Sequence, residues 1–353
     1  MQITRAEVTP VVLKLRRPVH MAGLPAMEEV TAIFVRIETR EGCNAFGCAV
    51  AHPNLTGETP EAALRACREG AVMVPDLHPT NLEYSLNQLS AVTQKSPAAS
   101  CVFDLAFHDL LGLAAGMPLY RLLGGYRNRI QTSVTLPLGP VQENVEAARA
   151  RASLGFRILK IKGGEDPQQD VERVQAIHRA LPHHTLRLDA DGGYSIQSAL
   201  DVARALVGVI EMLEQPTPPS DLDALREVTR QSRVPILADQ SVTGPATALD
   251  LAARHGANGL SIKMATCGGL RCARQVDAIA RAAHMASMVS CLIEPSLLIA
   301  AGLHFALSSP NVRYGDLDGY LELENDPTQA GFKLEDGWLE ASERPGLGCT
   351  VDF

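Results

Sequence analysis

Helix-like and strand-like stretches alternate along most of the chain, and this rhythm restricts the possible folds more than any other feature. Strands that alternate with helices pair in parallel through crossover connections. Seven or eight such units, with no glycine-rich phosphate-binding motif after the first strand, favour a closed barrel over an open doubly wound sheet. The strand-like runs are QTSVT, FRILKIK, TLRLDAD, IEMLEQP, VPILADQ, GLSIKMA, SMVSCLIEP and VRYGDLDG.

A polar residue stands near the end of every one of these runs, at intervals of 24 to 28 residues. In a parallel barrel the carboxyl ends of the strands meet at one mouth, where active sites lie. The spacing therefore predicts that these side chains converge. The eight residues are Thr135, Lys162, Asp189, Glu214, Asp239, Lys263, Cys291 and Asp316.

Two lysines, Lys160 and Lys162, interrupt the apolar run FRILKIK. Residues two apart in a strand point to the same face. Because an isolated buried ammonium group is costly, we expect both lysines to be paired with acids or shifted in pKa. We predict that Lys162 faces the substrate and that Lys160 lies beside it.

Three successive runs end in the acids Asp189, Glu214 and Asp239, and a lysine-bearing run stands on either side of them. Converging carboxylates raise one another's pKa unless a cation lies among them, and hard oxygen ligands suit Mg²⁺. We therefore predict that these three residues bind Mg²⁺. A divalent cation and mutual repulsion would lower the pKa of Lys162 and Lys263 toward the range of a useful base.

This arrangement fits proton transfer at a carbon atom next to a carboxylate. Such a proton is weakly acidic, and its removal concentrates charge on the two oxygens of an enediolate, which a metal ion can stabilise. Lys162 and Lys263 would remove the proton from one face and return a proton to the other. The expected product is an epimer or a racemate.

The first 125 residues follow a different pattern, since strand-like stretches up to residue 55 precede helical stretches over 58–125. This order is typical of an α+β unit. We therefore divide the chain into an α+β domain (1–125), a barrel domain (126–325) and a C-terminal segment (326–353).

Composition and charge exclude several classes of partner. The net charge of −8 gives no reason to expect binding to nucleic acid or to an anionic membrane. No apolar stretch is expected to span a membrane, and the N-terminus lacks the apolar segment of a signal peptide. The eight cysteines form no CxxC pair, which fits a reduced cytoplasmic protein.

In these motifs the chain resembles the enolase superfamily, in its muconate-lactonising subgroup, and most of all dipeptide epimerases of the L-Ala-D/L-Glu type. The shared features are the KxK motif, the three acids, the IKMATCGG strand and the DxD motif in GDLDGY. The resemblance implies a capping domain on a modified (β/α)₇β TIM-like barrel, with the C-terminal segment packed back on the cap. It also implies Mg²⁺ as cofactor, a homo-oligomer, and epimerisation of a dipeptide at the Cα of its C-terminal residue.

The resemblance assigns substrate contacts as well. Asp316 and Asp318 would bind the α-ammonium group of the dipeptide, because two carboxylates two apart on a strand point the same way and can share one cation. Thr135, Lys160 and Cys291 would line the substrate site.

Two positions depart from the family pattern. ADQS contains Gln240 where Glu is usual, and DADGGY contains Asp191 where Asn is common. Gln240 would change the pKa of Lys263 in a direction that the sequence leaves open. Asp191 would either add charge near the metal or cap the following helix.

Other functions remain open at this stage. The same site could serve an N-acylamino acid racemase, an o-succinylbenzoate synthase or a muconate cycloisomerase, whose substrates lack a free ammonium group, or the barrel could be a non-enzymatic scaffold. The segment RRPVHMAGLPAMEEV is expected to close over the barrel mouth and select side chains. Its candidate contacts are Arg16, Arg17, Met21, Leu24, Glu28 and Glu29.

Overall fold

The computed structural model describes residues 1–23 and 25–352. The chain begins with a three-stranded antiparallel sheet in the order β1–β2–β3. A tight turn at Gly42, which has a φ of 82°, joins the second strand to the third. This sheet confirms the strand-like reading of the first 55 residues. The strands are β1 (Ile3–Val19), β2 (Met27–Thr39) and β3 (Asn44–Ala51).

Helices cover one face of this sheet, which completes the predicted α+β unit. Local caps mark their ends: Thr59 accepts a hydrogen bond from the backbone N–H of Ala62 at the start of the second helix. Gly116 ends the fourth in the left-handed conformation. The helices are α1 (Pro53–Thr56), α2 (Pro60–Met73), α3 (Leu82–Thr93), α4 (Pro97–Ala115) and α5 (Leu119–Leu122).

Helix α4 corrects one expectation from the sequence. By length and composition it could cross a membrane, contrary to our reading that no stretch could do so, but 72% of its apolar window is buried inside the protein. It packs on β3 at Gly47, where an added Cβ would lie 1.9 Å from the carbonyl oxygen of Val102. A buried core helix passes the same test of length and hydropathy, so this feature is weak evidence for a membrane span.

A short strand, β4 (Arg129–Gln131), precedes an eight-stranded parallel sheet that curls into a nearly closed barrel. The predicted fold class is therefore confirmed. A parallel bridge joins Thr132, just before the first barrel strand, to Gly315 of the last one. The barrel strands are β5 (Val134–Leu136), β6 (Ile158–Lys162), β7 (Thr185–Asp189), β8 (Ile210–Glu214), β9 (Ile236–Ala238), β10 (Gly259–Lys263), β11 (Ala286–Ser290) and β12 (Val312–Asp316).

Crossover helices follow the barrel strands, as the alternating pattern predicted. Their buried faces pack on strands that are apolar over most of their length, and the apolar core extends without a break into the capping unit. The helices are α6 (Val141–Ser153), α7 (Pro167–Ala180), α8 (Ile196–Ala205), α9 (Leu222–Gln231), α10 (Pro245–Arg254), α11 (Met264–Cys267), α12 (Leu270–Ala282) and α13 (Ser296–Ser308).

The C-terminal segment contacts both units. Its strands β14 (Phe332–Glu335) and β15 (Trp338–Ala341) form an antiparallel sheet with β4, and β13 (Thr328–Gln329) pairs with β16 (Thr350–Val351). Near the chain end, the N–H of Leu347 donates to Asp109 of α4.

Strand β1 also reaches the barrel mouth. Its Lys14 carbonyl accepts a hydrogen bond from Glu324 N, just beyond the DxD segment. Arg17 forms an ion pair of 3.3 Å with Glu322. A Cβ added at Gly164, just after β6, would meet the Cβ of Ala22 at 3.1 Å. The loop between β1 and β2 therefore lies against the carboxyl end of β6.

Candidate active site at the barrel mouth

The structure brings all eight predicted strand-end residues to one rim of the barrel. Lys162, Asp189, Glu214, Lys263 and Asp316 are the last residues of β6, β7, β8, β10 and β12. The remaining three also lie at the strand ends: Thr135 is within β5, and Asp239 and Cys291 directly follow β9 and β11.

The register of the sheet aligns three of these residues in one row. Lys162 stands opposite Asp189, and Asp189 stands opposite Glu214. Parallel strands in register present equivalent side chains at the same height. The lysine and the two acids are thus neighbours because of strand pairing, not because of side-chain flexibility.

Lys160 lies one pleat below Lys162 on the same strand and is buried. Its ammonium nitrogen lies 3.0 Å from Asp189, 2.8 Å from Glu214 and 2.8 Å from Asp316. Burial acts to lower the pKa of Lys160, but these carboxylates outweigh burial and raise it well above its usual value. Lys160 is therefore a fixed cation among the acids, as the cost of an isolated buried charge requires.

Lys162 contacts two carboxylates. Its Nζ is 2.8 Å from Oδ2 of Asp189, and it lies 2.9 and 2.8 Å from the two oxygens of Asp191. Burial acts to lower its pKa, but the charges of Asp189 and Asp191 outweigh burial and raise it. The protein groups alone therefore act against the lowered pKa expected from the sequence, and that lowering must come from a bound cation.

Lys263 occupies the equivalent place on the other side of the acidic strands. It forms a close ion pair with Asp239. Burial again acts to lower its pKa, and Asp239 and Glu214 raise it overall. The two lysines thus flank β7, β8 and β9, each paired with the nearest acid.

Glu214 lies between these pairs and is fully buried. Lys160 Nζ is close to its Oε2, but not in hydrogen-bonding geometry, so neither carboxylate oxygen accepts a hydrogen bond from the described residues. Burial and the charge of Asp189 raise the pKa of Glu214 to about 8. A buried carboxylate that accepts no hydrogen bond is costly, so this position would gain from a bound cation.

The donor set at this position fits a hard divalent cation. The three acids come from adjacent strands and offer only carboxylate oxygens, the ligands that Mg²⁺ prefers. Within residues 1–23 and 25–352, no group of three acidic, histidine or cysteine side chains is already arranged to hold a metal ion. The three lysines lie among the acids as they stand, and Asp189, Glu214 and Asp239 remain the candidate ligands.

The DxD segment differs from the sequence prediction in one respect. Strand β12 ends at Asp316, and Asp318, with φ −109° and ψ −7°, directly precedes the 3₁₀ helix Gly319–Glu322. The two carboxylates therefore do not share a strand face, because the chain turns between them. Asp316 accepts hydrogen bonds from Lys160 and from Ser133, and Lys160 outweighs burial in lowering its pKa.

Asp318 has different surroundings. The backbone N–H of Thr135 donates to its Oδ2 at 2.6 Å, and Cys291 Sγ lies 3.9 Å from its Oδ1. It makes no ion pair with any side chain in the described part of the chain. Burial and the charge of Asp316 raise its pKa to about 6. Thr135 and Cys291 thus adjoin Asp318.

A buried network below Lys162 was not found by sequence reasoning. Arg173 of α7 forms a close ion pair with Asp170 and donates to the carbonyl oxygens of Lys162 at 3.0 Å and Gly139 at 2.9 Å. Asp170 also accepts from the N–H of Gly164 at 2.8 Å and closely from the hydroxyl of Tyr194. The only signal in the sequence was the helical i, i+3 spacing of Asp170 and Arg173.

The loop between β1 and β2 contributes a cavity of about 210 Å³. Glu28 and Glu29 line it with Met21, His52 and Leu55. Among the other candidates of this segment, Arg16 is exposed and Arg17 is paired with Glu322. Leu24 lies outside the described residues.

Comparison with known proteins agrees with this architecture. Residues 3–124 match the family described as mandelate racemase / muconate lactonizing enzyme, N-terminal domain, and residues 143–353 match the enolase C-terminal domain-like family. The chain is 38% identical to an L-Lys-D/L-Arg epimerase of Methylococcus capsulatus over 99% of both proteins.

Solved structures agree as well. A dipeptide epimerase of Enterococcus faecalis complexed with Mg and L-Leu-L-Tyr is 33% identical, with a TM-score of 0.95 over 99% of this chain and 100% of that one. A substrate-liganded L-Ala-D/L-Glu epimerase of Bacillus subtilis is 29% identical, with a TM-score of 0.95 over 99% of both chains. The chain therefore belongs to the mandelate racemase and muconate lactonizing enzyme family of the enolase superfamily.

Proposed function

We propose that the protein is a Mg²⁺-dependent dipeptide epimerase, an isomerase that inverts the Cα of the C-terminal residue. The observation that carries this proposal is the placement of Lys162 and Lys263 at the ends of β6 and β10, on either side of the three acidic strands. Two lysines on opposite sides of one substrate can transfer a proton from one face of a carbon atom to the other.

The metal ligands in this proposal are Asp189, Glu214 and Asp239. A Mg²⁺ ion held there supplies positive charge that lowers the energy of the enediolate formed from the substrate's terminal carboxylate. The unsatisfied oxygens of buried Glu214 support this assignment, since a cation would remove the cost of burying them.

The two lysines exchange roles in the two directions of the reaction. One starts as a neutral amine and takes the proton as the Cα–H bond breaks. The other starts as an ammonium group and gives its proton to the opposite face as the new Cα–H bond forms. Asp189 and Asp239 hold both lysines in the ammonium form. Engagement of these carboxylates by a cation would weaken that preference and free one lysine to act as the base.

The substrate's α-ammonium group is assigned chiefly to Asp318. Asp316 is already bonded to Lys160 and Ser133, whereas Asp318 is buried without an ion pair. A charge-assisted hydrogen bond from the substrate would be a stronger partner for its Oδ1 than the Cys291 thiol at 3.9 Å. Thr135 and Lys160 contribute by fixing Asp318 and Asp316, and Cys291 borders the same subsite.

Side-chain selection is assigned to the loop between β1 and β2, which lies against the carboxyl end of β6 at Gly164. The cavity beside it is lined by Glu28 and Glu29 and by no Lys or Arg among the described residues. This charge favours a dipeptide with a basic side chain. Dipeptides of lysine and arginine are therefore the first substrates to test.

The proposal also includes the finer features of organisation. It keeps the division into a capping domain (1–125), a barrel domain (126–325) and a C-terminal segment (326–353). All eight cysteines are free thiols, which supports a reducing, cytoplasmic location. The homo-oligomer implied by the family resemblance can be tested by light scattering of the purified protein.

The test is deuterium exchange. The purified protein is incubated in D₂O with Mg²⁺ and pools of L,L- and L,D-dipeptides, and mass spectrometry detects a gain of about one mass unit per substrate molecule, as loss of one Cα proton requires. Labelled dipeptides identify the reaction and the preferred side chains. Turnover retained by a folded Lys263→Ala variant would contradict the proposed roles.

The alternative reactions are separated by the DxD segment. N-acylated amino acids and cycloisomerase substrates have no free ammonium group, so they gain nothing from Asp318. If Asp316→Asn/Asp318→Asn abolishes dipeptide exchange, the ammonium assignment stands. If the double variant retains it, the ammonium assignment fails, which favours substrates without a free ammonium group. If only N-acylated substrates are labelled, the protein is a racemase of N-acylated amino acids. Absence of both Mg²⁺ binding and exchange would identify a non-enzymatic scaffold.

A further inference from the structure

Asp191 and Gln240, which follow two different barrel strands, contact each other. Gln240, which follows β9, donates its Nε2 hydrogen to Oδ1 of Asp191 at 2.9 Å. Asp191, which follows β7, in turn accepts from Lys162 through both carboxylate oxygens at 2.9 and 2.8 Å. The three side chains therefore form a chain of contacts from β9 through β7 to the lysine on β6.

The backbone does not explain a carboxylate at position 191. Asp191 has a φ of 46°, in the left-handed region that Asn and Asp both tolerate. Asn would satisfy this conformation equally well. What Asp adds is a negative charge, and its side chain is only 7% exposed and in direct contact with Lys162.

The identity of residue 240 is tied to that charge. An amide at this position can donate to a carboxylate at 191, as Gln240 does. Glu at 240 would instead bring a second carboxylate to the position of the Gln240 amide, 2.9 Å from Asp191, where like charges repel. Asn at 191 could again donate to a Glu at 240. A carboxylate and an amide can therefore exchange places between positions 191 and 240 only if both residues change together.

We propose that Asp191 and Gln240 form one positioning unit that holds the Lys162 side chain. The negative charge of the unit, on Asp191, lies on the Lys162 side of the site. The inference rests on the proposed function. Lys162 has two carboxylate contacts, and Asp189 is a candidate metal ligand. Asp191 is then the contact that stays dedicated to Lys162, and Gln240 fixes the orientation of its carboxylate. Among residues 1–23 and 25–352, Lys263 has no second carboxylate partner, since its ion pair is with Asp239.

The unit can be tested one lysine at a time. In a two-base transfer each substrate epimer loses its Cα proton to a different lysine, so exchange without inversion reports each lysine separately. Purified L-Lys-L-Arg and L-Lys-D-Arg are incubated separately with the protein in D₂O with Mg²⁺. The dipeptide pools are then incubated in the same way, and NMR measures the loss of the Cα proton in each case. Lys162→Ala identifies the epimer that depends on Lys162.

The expected result is a one-sided loss. Asp191→Asn lowers exchange of the Lys162-dependent epimer by about tenfold or more, because one charge-assisted contact to the lysine is lost. Exchange of the other epimer stays within about twofold of wild type, which is within the usual scatter of independent sites. Gln240→Glu lowers exchange of the same epimer, since it repels Asp191 from its place.

The double variant separates positioning from stability. Asp191→Asn/Gln240→Glu restores the amide–carboxylate pair, so the unfolding midpoint of the metal-free protein recovers most of the loss seen in Gln240→Glu. Exchange of the Lys162-dependent epimer stays low, because the charge no longer touches Lys162. Asp336→Asn is the matched control, since Asp336 also has a positive φ of 50° but lies in the exposed turn between β14 and β15.

Two outcomes would overturn this inference and leave the proposed function intact. Either Asp191→Asn changes both epimers equally while the wild type exchanges both, or the unfolding midpoints of the four proteins are additive. If the wild type exchanges no epimer of any dipeptide, the proposed function fails and this inference fails with it.

Discussion

Replacing Arg173 with methionine tests whether the buried network below Lys162 supports the fold and the site together. The guanidinium of Arg173 pairs with Asp170 and donates to the carbonyl oxygens of Lys162 and Gly139. Both charged side chains are 1% exposed. The substitution keeps most of the side-chain volume but removes the only cation that pairs with Asp170 among the described residues.

The expected loss of stability follows from the charge left behind. Removing one partner of a buried ion pair costs about 3–5 kcal/mol. An upper limit comes from protonation, because Asp170 can take up a proton instead, and moving an ordinary Asp to the neutral form at about pH 7 costs about 4 kcal/mol. For a chain of this length, about 4 kcal/mol corresponds to a fall in Tm of roughly 5 °C.

The same reasoning predicts a dependence on pH. Burial raises the pKa of Asp170 already, and Tyr194, Gly164 and Arg173 oppose that rise. Without Arg173 the folded protein holds the neutral acid while the unfolded chain ionises, so the variant loses stability as pH rises above about 4. The difference in the free energy of unfolding between the variant and wild type should therefore shrink by about 3 kcal/mol as the pH falls from about 7 to about 5.

Calorimetry at the two pH values measures this effect. Arg230→Met is the matched control, because Arg230 pairs with Glu227 on the surface with 64% and 40% of the side chains exposed. That variant should lose at most about 1 kcal/mol. A loss for Arg173→Met no larger than the control's, or one that does not change with pH, would refute the reasoning. Deuterium exchange of the Lys162-dependent epimer should also fall, because the carbonyl oxygen of Lys162 loses the hydrogen bond from Arg173.

Three further results are expected. Gly47→Ala should destabilise the cap by about 3 kcal/mol or more in urea unfolding, because its Cβ would lie 1.9 Å from the rigid carbonyl of Val102, and a loss below 1 kcal/mol would contradict the packing of α4. Burial lowers the pKa of His304 to about 4, and its Nδ1 accepts from Tyr120 N. The free energy of unfolding should therefore fall by up to about 3 kcal/mol as pH drops from about 6.5 to about 4, and His304→Asn should remove that slope. Mg²⁺ at about a hundred times its Kd should stabilise the protein by about 2.7 kcal/mol, and Glu214→Gln should abolish most of this gain in a thermal-shift assay.

The rim of the site could be predicted from spacing because a barrel repeats one unit. Each unit advances the chain by one strand, so an interval of 24 to 28 residues returns to the same height on the next strand. This sufficed to align Lys162, Asp189 and Glu214, which the register places in one row. The i, i+2 rule likewise gave the shared face of Lys160 and Lys162.

The contacts that cross between units could not be predicted in the same way. Lys160 reaches Asp316, which is 156 residues away in sequence, because the barrel closes through Thr132 and Gly315. The strand rule was wrong for Asp318, because the strand ends two residues earlier and the chain turns into a 3₁₀ helix. Local periodicity describes one element at a time, and these contacts depend on how elements meet.

The barrel mouth contains more acidic side chains than basic ones. The positions of the acids without a cationic partner bear on the choice of substrate. The lysines neutralise three carboxylates at most. Two of the buried acids have raised pKa values: burial and the charge of Asp189 raise the pKa of Glu214 to about 8, and burial and the charge of Asp316 raise the pKa of Asp318 to about 6. Among the described residues, the oxygens of Glu214 accept no hydrogen bond, and Asp318 makes no ion pair. The acids in this comparison are Asp189, Asp191, Glu214, Asp239, Asp316 and Asp318, and the lysines are Lys160, Lys162 and Lys263. Glu294 near Lys263 and Arg187 near Asp316 are further ionisable neighbours.

Glu214 and Asp318 lie at different places, so one ion cannot serve both. A divalent cation near β7, β8 and β9 would match Glu214, but Asp318 lies beyond the end of β12, beside Thr135 and Cys291. An N-acylated amino acid brings only a carboxylate and leaves Asp318 unmatched. Under the proposed function, a dipeptide would bring its own ammonium group to that position and its carboxylate to the metal site. The distribution of charge in this mouth therefore favours a substrate that is cationic at one end and anionic at the other.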